Sequence, residues 1–134
     1  MYLLDTDTCI FLLNGVNSPA EKYLRDLGRN EVGLATITLA ELYYGAAHSK
    51  QRENNERRVK IFAEAIALLP FDQEAAQTFG AIKELLVSKG ELIGTMDLLI
   101  ASIAVAHKAT LVTHNTKDFN RIKELSLQDW FKAT

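Results

Sequence analysis

Asp5, Glu41, Asp97 and Asp118 each fall at the border of an apolar run. Asp5 closes Tyr2-Leu3-Leu4, and Glu41 follows the strand-like stretch 32–37. Asp97 opens the apolar segment 98–107, and Asp118 follows Thr110-Leu111-Val112-Thr113. In a chain that alternates strands and helices, the carboxyl ends of parallel strands share one edge of the sheet, so residues just beyond them can converge. Carboxylates brought together repel one another unless protons or a divalent cation neutralise them. A donor set made only of oxygen suits Mg²⁺ or Mn²⁺. The chemistry to look for is therefore that of a metal held by acids.

The elements that must position these acids are legible as an alternation. Residues 2–6 read as a buried strand, followed by a short helix over 9–13 that Asn14-Gly15 stops. Ser18-Pro19 is a helix start, with serine as N-cap and proline at the first helical position, and Gly28 is a stop. Residues 32–37 form the second strand, and Thr38 opens a helix to about His48. A polar helix covers 50–65, with Val59, Phe62 and Ile66 as its apolar side. A short strand over 67–71 precedes Asp72, which caps a helix ending near Gly90. After the loop Leu92-Ile93-Gly94, Thr95 starts the apolar helix; strands follow at 110–113 and 125–127, with a turn at 115–119. This order predicts an α/β fold, a central parallel sheet flanked by helices on both faces, in one domain spanning 1–134.

Each acid also has a local structural explanation. Asp5 suits a strand end or a helix cap. Thr38-Leu39-Ala40-Glu41 matches the capping box, in which the glutamate reaches back to the cap residue's N–H. Asp97 gains from the positive end of its helix dipole, worth about 0.3–1 kcal/mol. It also shares a face with Ile100, Ala101, Ala104 and Val105, where an ionised carboxylate needs a partner, a metal or a wet edge. Asp118 lies in the polar turn Asn115-Thr116-Lys117-Asp118, where Asn115 competes with it as the coordinating residue.

Composition narrows the classes. A chain of 134 residues, 48% of them hydrophobic, is long enough for one buried core. Cys9 is the only cysteine, which excludes an intramolecular disulfide and suits a reducing cytosol. The first residues have no basic region, and Asp5 and Asp7 interrupt their apolar stretch, so they make a poor signal peptide. No apolar run approaches the roughly 20 residues of a membrane helix. The expectation is a cytoplasmic domain with no membrane association. The formal charge of −2 argues against a broad basic surface that coats nucleic acid. With the four candidate ligands set aside, the remainder of the chain is mildly basic, which suits an enzyme acting on phosphodiesters.

The four acidic segments together resemble a known family. Tyr2-Leu3-Leu4-Asp5-Thr6, Thr38-Leu39-Ala40-Glu41-Leu42, Ile93-Gly94-Thr95-Met96-Asp97-Leu98-Leu99-Ile100-Ala101 and Val112-Thr113-His114-Asn115-Thr116-Lys117-Asp118-Phe119 are similar to the corresponding blocks of PIN-domain ribonucleases. More narrowly they resemble the VapC toxins of bacterial type II toxin–antitoxin systems, over essentially the whole chain and including Trp130. The resemblance implies Mg²⁺-dependent cleavage of RNA, with Mn²⁺ able to substitute, by Asp5, Glu41, Asp97 and Asp118. Asp5 and Asp97 would be the principal ligands. It implies a VapB-type antitoxin that blocks the site and binds operator DNA, so that DNA is reached only through it. It also implies a homodimer, for which Phe11, Leu12, Leu42 and Tyr43 are apolar enough, and a structured RNA target, with the anticodon loop of initiator tRNA the leading expectation. Two departures stand out: Asp7, where relatives often carry asparagine, and Asn115, which can share or replace the role of Asp118.

Two other readings compete. Leu3-Leu4-Asp5-Thr6-Asp7 resembles the nucleophile segment of haloacid dehalogenase-type phosphatases, but Cys9 stands where those want threonine or valine, and no later pair of neighbouring acids accompanies Asp97. A non-catalytic binding domain of the same fold would not need the complete acidic set. Lys50, Arg52, Arg57, Arg58 and Lys60 alternate with Glu53 and Glu56 and read as a solvated helix face. His48, His107 and His114 lack metal-ligand spacing with Cys9, and only His114 lies near the acids, where it could touch substrate. Tyr43 and Tyr44 can stack on bases or a partner, with at least one expected to pack between helices.

Overall fold

The structure, a computed structural model, describes residues 1–15 and 19–131. Five parallel strands, β1 (Tyr2–Leu4), β2 (Val32–Ala35), β3 (Ala67–Leu69), β4 (Thr110–Val112) and β5 (Ser126–Gln128), lie in the order β3-β2-β1-β4-β5. The described helices are α1 (Thr6–Leu13), α2 (Pro19–Asp26), α3 (Thr36–Ala47), α4 (Arg52–Glu64), α5 (Gln73–Ser88), α6 (Thr95–Ala106) and α7 (Thr116–Phe119), with a 3₁₀ turn at Arg29–Glu31.

Side-chain alternation along the strands divides the core in two. Leu3 and Leu111 face one side, where α5 and α6 supply Ala75, Ile82, Leu86, Leu98 and Ile103. Leu4, Leu34 and Val112 face the other, covered by Leu42 and Ala46 of α3, Val59 of α4, Cys9 of α1 and Trp130. Both faces are therefore dry, as an all-parallel sheet requires. Gly33 is needed where β2 meets β3, because a Cβ there would sit 3.0 Å from the Ala67 carbonyl oxygen. Among the described residues no helix is long and apolar enough to cross a membrane.

The first four strands end earlier than the sequence suggests, β5 ends one residue later than expected, and α1 and α3 start earlier. β1 stops at Leu4, and Asp5 becomes the N-cap of α1 by accepting a hydrogen bond from the Thr8 N–H at 2.9 Å. β2 stops at Ala35, and α3 begins at Thr36 with Ala35 in the cap position. The expected capping box from Thr38 to Glu41 is consequently absent: Thr38 lies inside the helix and Glu41 in its second turn. Asp72 does cap α5, through the Ala75 N–H. Ser18, expected as a cap, lies outside the described residues; Pro19 is the first described residue of α2. The 3₁₀ turn after Gly28 has no counterpart in the sequence reading.

Trp130 follows β5 and closes the second core. Its ring stacks on Tyr23 of α2 at a centroid distance of 5.1 Å and tilts against Tyr2 of β1 at 5.7 Å. The indole N–H is satisfied by Gln128 Oε1 at 3.1 Å. Trp130→Ala should leave a cavity that these rigid neighbours cannot fill and cost about 3–5 kcal/mol of stability, whereas Trp130→Phe should lose less. Urea unfolding of the three proteins checks this; an alanine variant as stable as wild type would mean that Trp130 covers the sheet without holding it.

Candidate metal centre

The chain runs from β1 outward to β2 and β3, then crosses back to β4 on the other side of β1. The carboxyl ends of β1 and β4 thus form a topological switch point, the crevice where open parallel sheets bind ligands. Asp5 stands one residue past β1, and Thr113 one residue past β4. The Asp5 N–H donates to the Val112 carbonyl at 3.0 Å, which continues the ladder by one bond and fixes where its side chain begins.

Asp5 is 4% exposed. Burial pushes its carboxyl above the ordinary carboxylate range; hydrogen bonds with Thr113 and Thr8 oppose that rise, and the charge of Asp7 adds to it. Asp97 lies in the first turn of α6 and is half-buried. Its carboxyl is pushed up to about 6, first by loss of water and then by the charges of Asp5, Asp7, Glu41 and Asp118. Every charged group that shifts Asp97 is an acid. The structure therefore brings all four sequence-predicted residues within electrostatic reach of one carboxylate, and adds Asp7 as a fifth.

The periphery of the site is tied by short-range bonds. The Thr6 hydroxyl donates to Glu41 Oε1 at 2.7 Å and lies 3.3 Å from the Thr38 hydroxyl, linking α1 to α3. Freed from the capping role, Glu41 points its carboxylate at the start of α1. Asn115 donates its side-chain amide to Asp118 Oδ2 at 3.2 Å, and Arg121 lies 3.8 Å from Oδ1. Asn115 and Asp118 thus act as a connected pair. The sequence reading missed Thr6, Thr8, Thr38 and Thr113; a threonine beside or just before each acid was the only available signal, and threonines at strand ends are common for turn chemistry.

An ion suits this donor set. The groups are hard oxygen donors, and mutual repulsion leaves Asp97 short of positive charge. Among the described residues no three acidic, histidine or cysteine side chains make a ready-made cage for one ion. His114 and the other histidines contribute nothing to it; His114 Nδ1 is held by Asp129 Oδ2 at 2.8 Å. Of the residues considered for a dimer contact, Leu42 is buried in the second core and Leu12 and Tyr43 pack against it, while Phe11 remains partly exposed. Tyr43 is thus the tyrosine between helices, and Tyr44 is the exposed one.

Comparison with known proteins agrees with this architecture. Residues 2–125 match the PIN domain model. Ribonuclease VapC2 of Rickettsia felis is 38% identical over 133 residues, covering 98% of this chain and 99% of the relative. The tRNA(fMet)-specific endonuclease VapC of Shigella flexneri is 35% identical over 130 residues, covering 96% and 97%. The crystal structure of VapBC2 from Rickettsia felis, bound to a DNA fragment from their promoter, superposes with a TM-score of 0.90 at 38% identity, over 96% of this chain and 98% of that one. With the acids gathered at the switch point and the likeness running nearly end to end, the chain belongs to the PIN-domain family, among the VapC ribonucleases.

Proposed function

We propose that this protein is the toxin of a type II toxin–antitoxin system, an endoribonuclease that uses Mg²⁺, or Mn²⁺ in its place, at Asp5, Glu41, Asp97 and Asp118. The single observation that carries the reading is the convergence of negative charge on Asp97, whose carboxyl is raised to about 6 by burial and by four other acids. Acids gathered at the crevice where open parallel sheets bind ligands, with one of them strongly shifted, support a functional site there. When bound, the ion supplies the positive charge that neutralises the phosphodiester and acidifies the attacking water.

The residues divide the work. Asp5 and Asp97 would hold the ion, Asp5 rigidly because its backbone and one carboxylate oxygen are already engaged. Thr6 fixes one oxygen of Glu41 and leaves the other to accept a proton from water. Asp118, oriented by Asn115, completes the shell. Residues 1–134 act as one domain in the cytoplasm, with no membrane. The name of the Shigella flexneri relative, a tRNA(fMet)-specific endonuclease, supports initiator tRNA as the substrate; the anticodon loop is the cut site this reading expects. The Rickettsia felis VapBC2 complex on promoter DNA supports a VapB-type antitoxin as partner; operator DNA reached only through that antitoxin, and a homodimer as the assembly, belong to the same reading.

Asp5→Asn keeps the side-chain shape and removes the charge. It should lower Mg²⁺- or Mn²⁺-dependent cleavage by about a hundredfold or more, and abolish growth inhibition, while the folded protein still binds antitoxin. Sequencing RNA ends after brief induction in cells identifies target and cut site together. Undiminished cleavage by the variant would remove Asp5 from the mechanism, and full wild-type cleavage in saturating EDTA would exclude a metal.

The raised carboxyl of Asp97 also predicts a pH dependence. A carboxylate with a folded-state pKa above its unfolded value favours the fold when protonated. Metal-free wild type should therefore lose stability as pH rises from about 4 through about 6, and Asp97→Asn should flatten that slope. Mn²⁺ at neutral pH should stabilise wild type by roughly 2.7 kcal/mol at a hundredfold excess over its dissociation constant, and the variant by much less. Thermal unfolding at fixed ionic strength measures both. An Asp97→Asn protein that is strongly destabilised without metal, yet gains as much from Mn²⁺, would make Asp97 a structural residue.

A further inference from the structure

Beside the acidic centre lies a cavity of about 530 Å³, lined by Asp7, Thr8, Phe11, His114, Asn115 and Phe131 among others. Three of its walls are rings. Phe11 and Phe131 meet edge to face at a centroid distance of 4.5 Å, and His114 meets Phe131 edge to face at 6.2 Å. One carboxylate organises two of them: Asp129, 6% exposed, holds His114 Nδ1 at 2.8 Å with Oδ2 and accepts the Phe131 N–H at 2.9 Å with Oδ1. The His114 side chain is nevertheless 72% exposed. An exposed ring fixed by a buried acid presents a rigid face at little cost in side-chain entropy. The catalytic assignment uses neither His114 nor Asp129.

Three of the residues that line the cavity are tied to the metal centre by hydrogen bonds or charge. Thr8 donates to Asp5, Asn115 donates to Asp118, and the charge of Asp7 reaches Asp97. With a phosphate of an RNA strand at the acids, this neighbouring cavity is where an adjacent nucleotide would fit. Unpaired bases are bound by aromatic and histidine faces, with amides and carboxylates reading their edges. The rings give the stacking faces, and the Asn115 amide and the Asp7 carboxylate give the cavity a polar wall that a purely apolar occupant would not use. A phosphate would meet Asp7 as a like charge.

We infer that the Phe11–Phe131–His114 cavity is a nucleobase subsite, which takes the unpaired base next to the scissile phosphate by stacking and reads its edge with Asn115 and Asp7. This rests on the ribonuclease reading proposed above. His114 is a substrate-positioning residue, and Asp129 acts through it and through Phe131.

The test uses a short single-stranded oligoribonucleotide with 2-aminopurine placed at each position in turn, because stacking quenches its fluorescence. The Asp5→Asn protein, which does not cut, should quench the probe strongly at one position beside the phosphate that wild type cleaves. Adding His114→Ala or Phe131→Leu should relieve that quenching and weaken binding by about fivefold or more. His114→Phe, which keeps a ring and loses the bond to Asp129, should restore most of the quenching. In the cleaving protein the same changes should raise KM more than they lower kcat, and an abasic nucleotide at the quenched position should erase the difference between variant and wild type. Circular dichroism confirms that each variant is folded, and His114, at the surface, can be changed without touching the core. Equal quenching in all variants, or none at any position, overturns the subsite. So does unchanged RNA affinity with loss of affinity for the antitoxin, which would assign the cavity to that protein. Retained quenching without any cleavage by wild type would instead overturn the ribonuclease reading and leave the subsite standing.

Discussion

Holding acids together out of bulk water is the constraint around which this molecule is arranged. Their repulsion grows as water leaves, and burial penalises each charge separately. Basic residues could relieve both costs, but a lysine or arginine among the acids would occupy the place of a cation. The structure uses neutral donors at the centre instead. Thr8 and Thr113 serve Asp5, and Thr6 serves Glu41. Hydroxyls and backbone N–H groups stabilise a carboxylate without cancelling its charge, so the site stays negative. Among the described residues the arginine within ion-pair distance of these four acids is Arg121, 3.8 Å from Asp118 at the rim.

Anchoring of this kind needs a scaffold that does not yield. Each of the three central strands has only three or four residues, yet their side chains fill both cores and their ends deliver the site. Asp5 is at once the end of β1's ladder, the cap of α1 and the most buried of the acids. Stability and chemistry therefore meet in one residue. Trp130 by contrast serves the core alone, stacked on Tyr23 and tilted against Tyr2.

Much of this was legible in the sequence because parallel strands leave a simple trace. Buried runs such as Tyr2-Leu3-Leu4 and Leu111-Val112, each followed by polar residues, identify strand ends, and strand ends locate the site. The apolar helix α6 with Asp97 at its start was equally clear. Local patterns failed where tertiary contacts outweighed them. Thr38 and Glu41 fit a capping box, yet the chain turns helical two residues earlier, and Glu41 bonds to Thr6, a residue 35 positions away that no local motif reveals. Asp7 looked like a mere departure from the family pattern, whereas its charge ranks directly after that of Asp5 in its effect on Asp97. The pairing of His114 with Asp129 was also hidden, since contacts across a strand end depend on register, and register is not written in either residue.

The strand order has a consequence for how the protein is made. β1, synthesised first, is the middle strand, and one of its two neighbours is β4, more than a hundred residues later. An incomplete chain can pair β1 with β2 and β3, but it leaves the other edge of β1 open and Asp5 without Val112 and Thr113. Contacts this distant in sequence form late, because the intervening chain must first be closed into a loop. The hydrolytic centre thus comes into being only after residues 110–118 have left the ribosome and docked. A fragment ending before residue 110 carries three of the four acids but lacks the strand that completes the crevice beside Asp5.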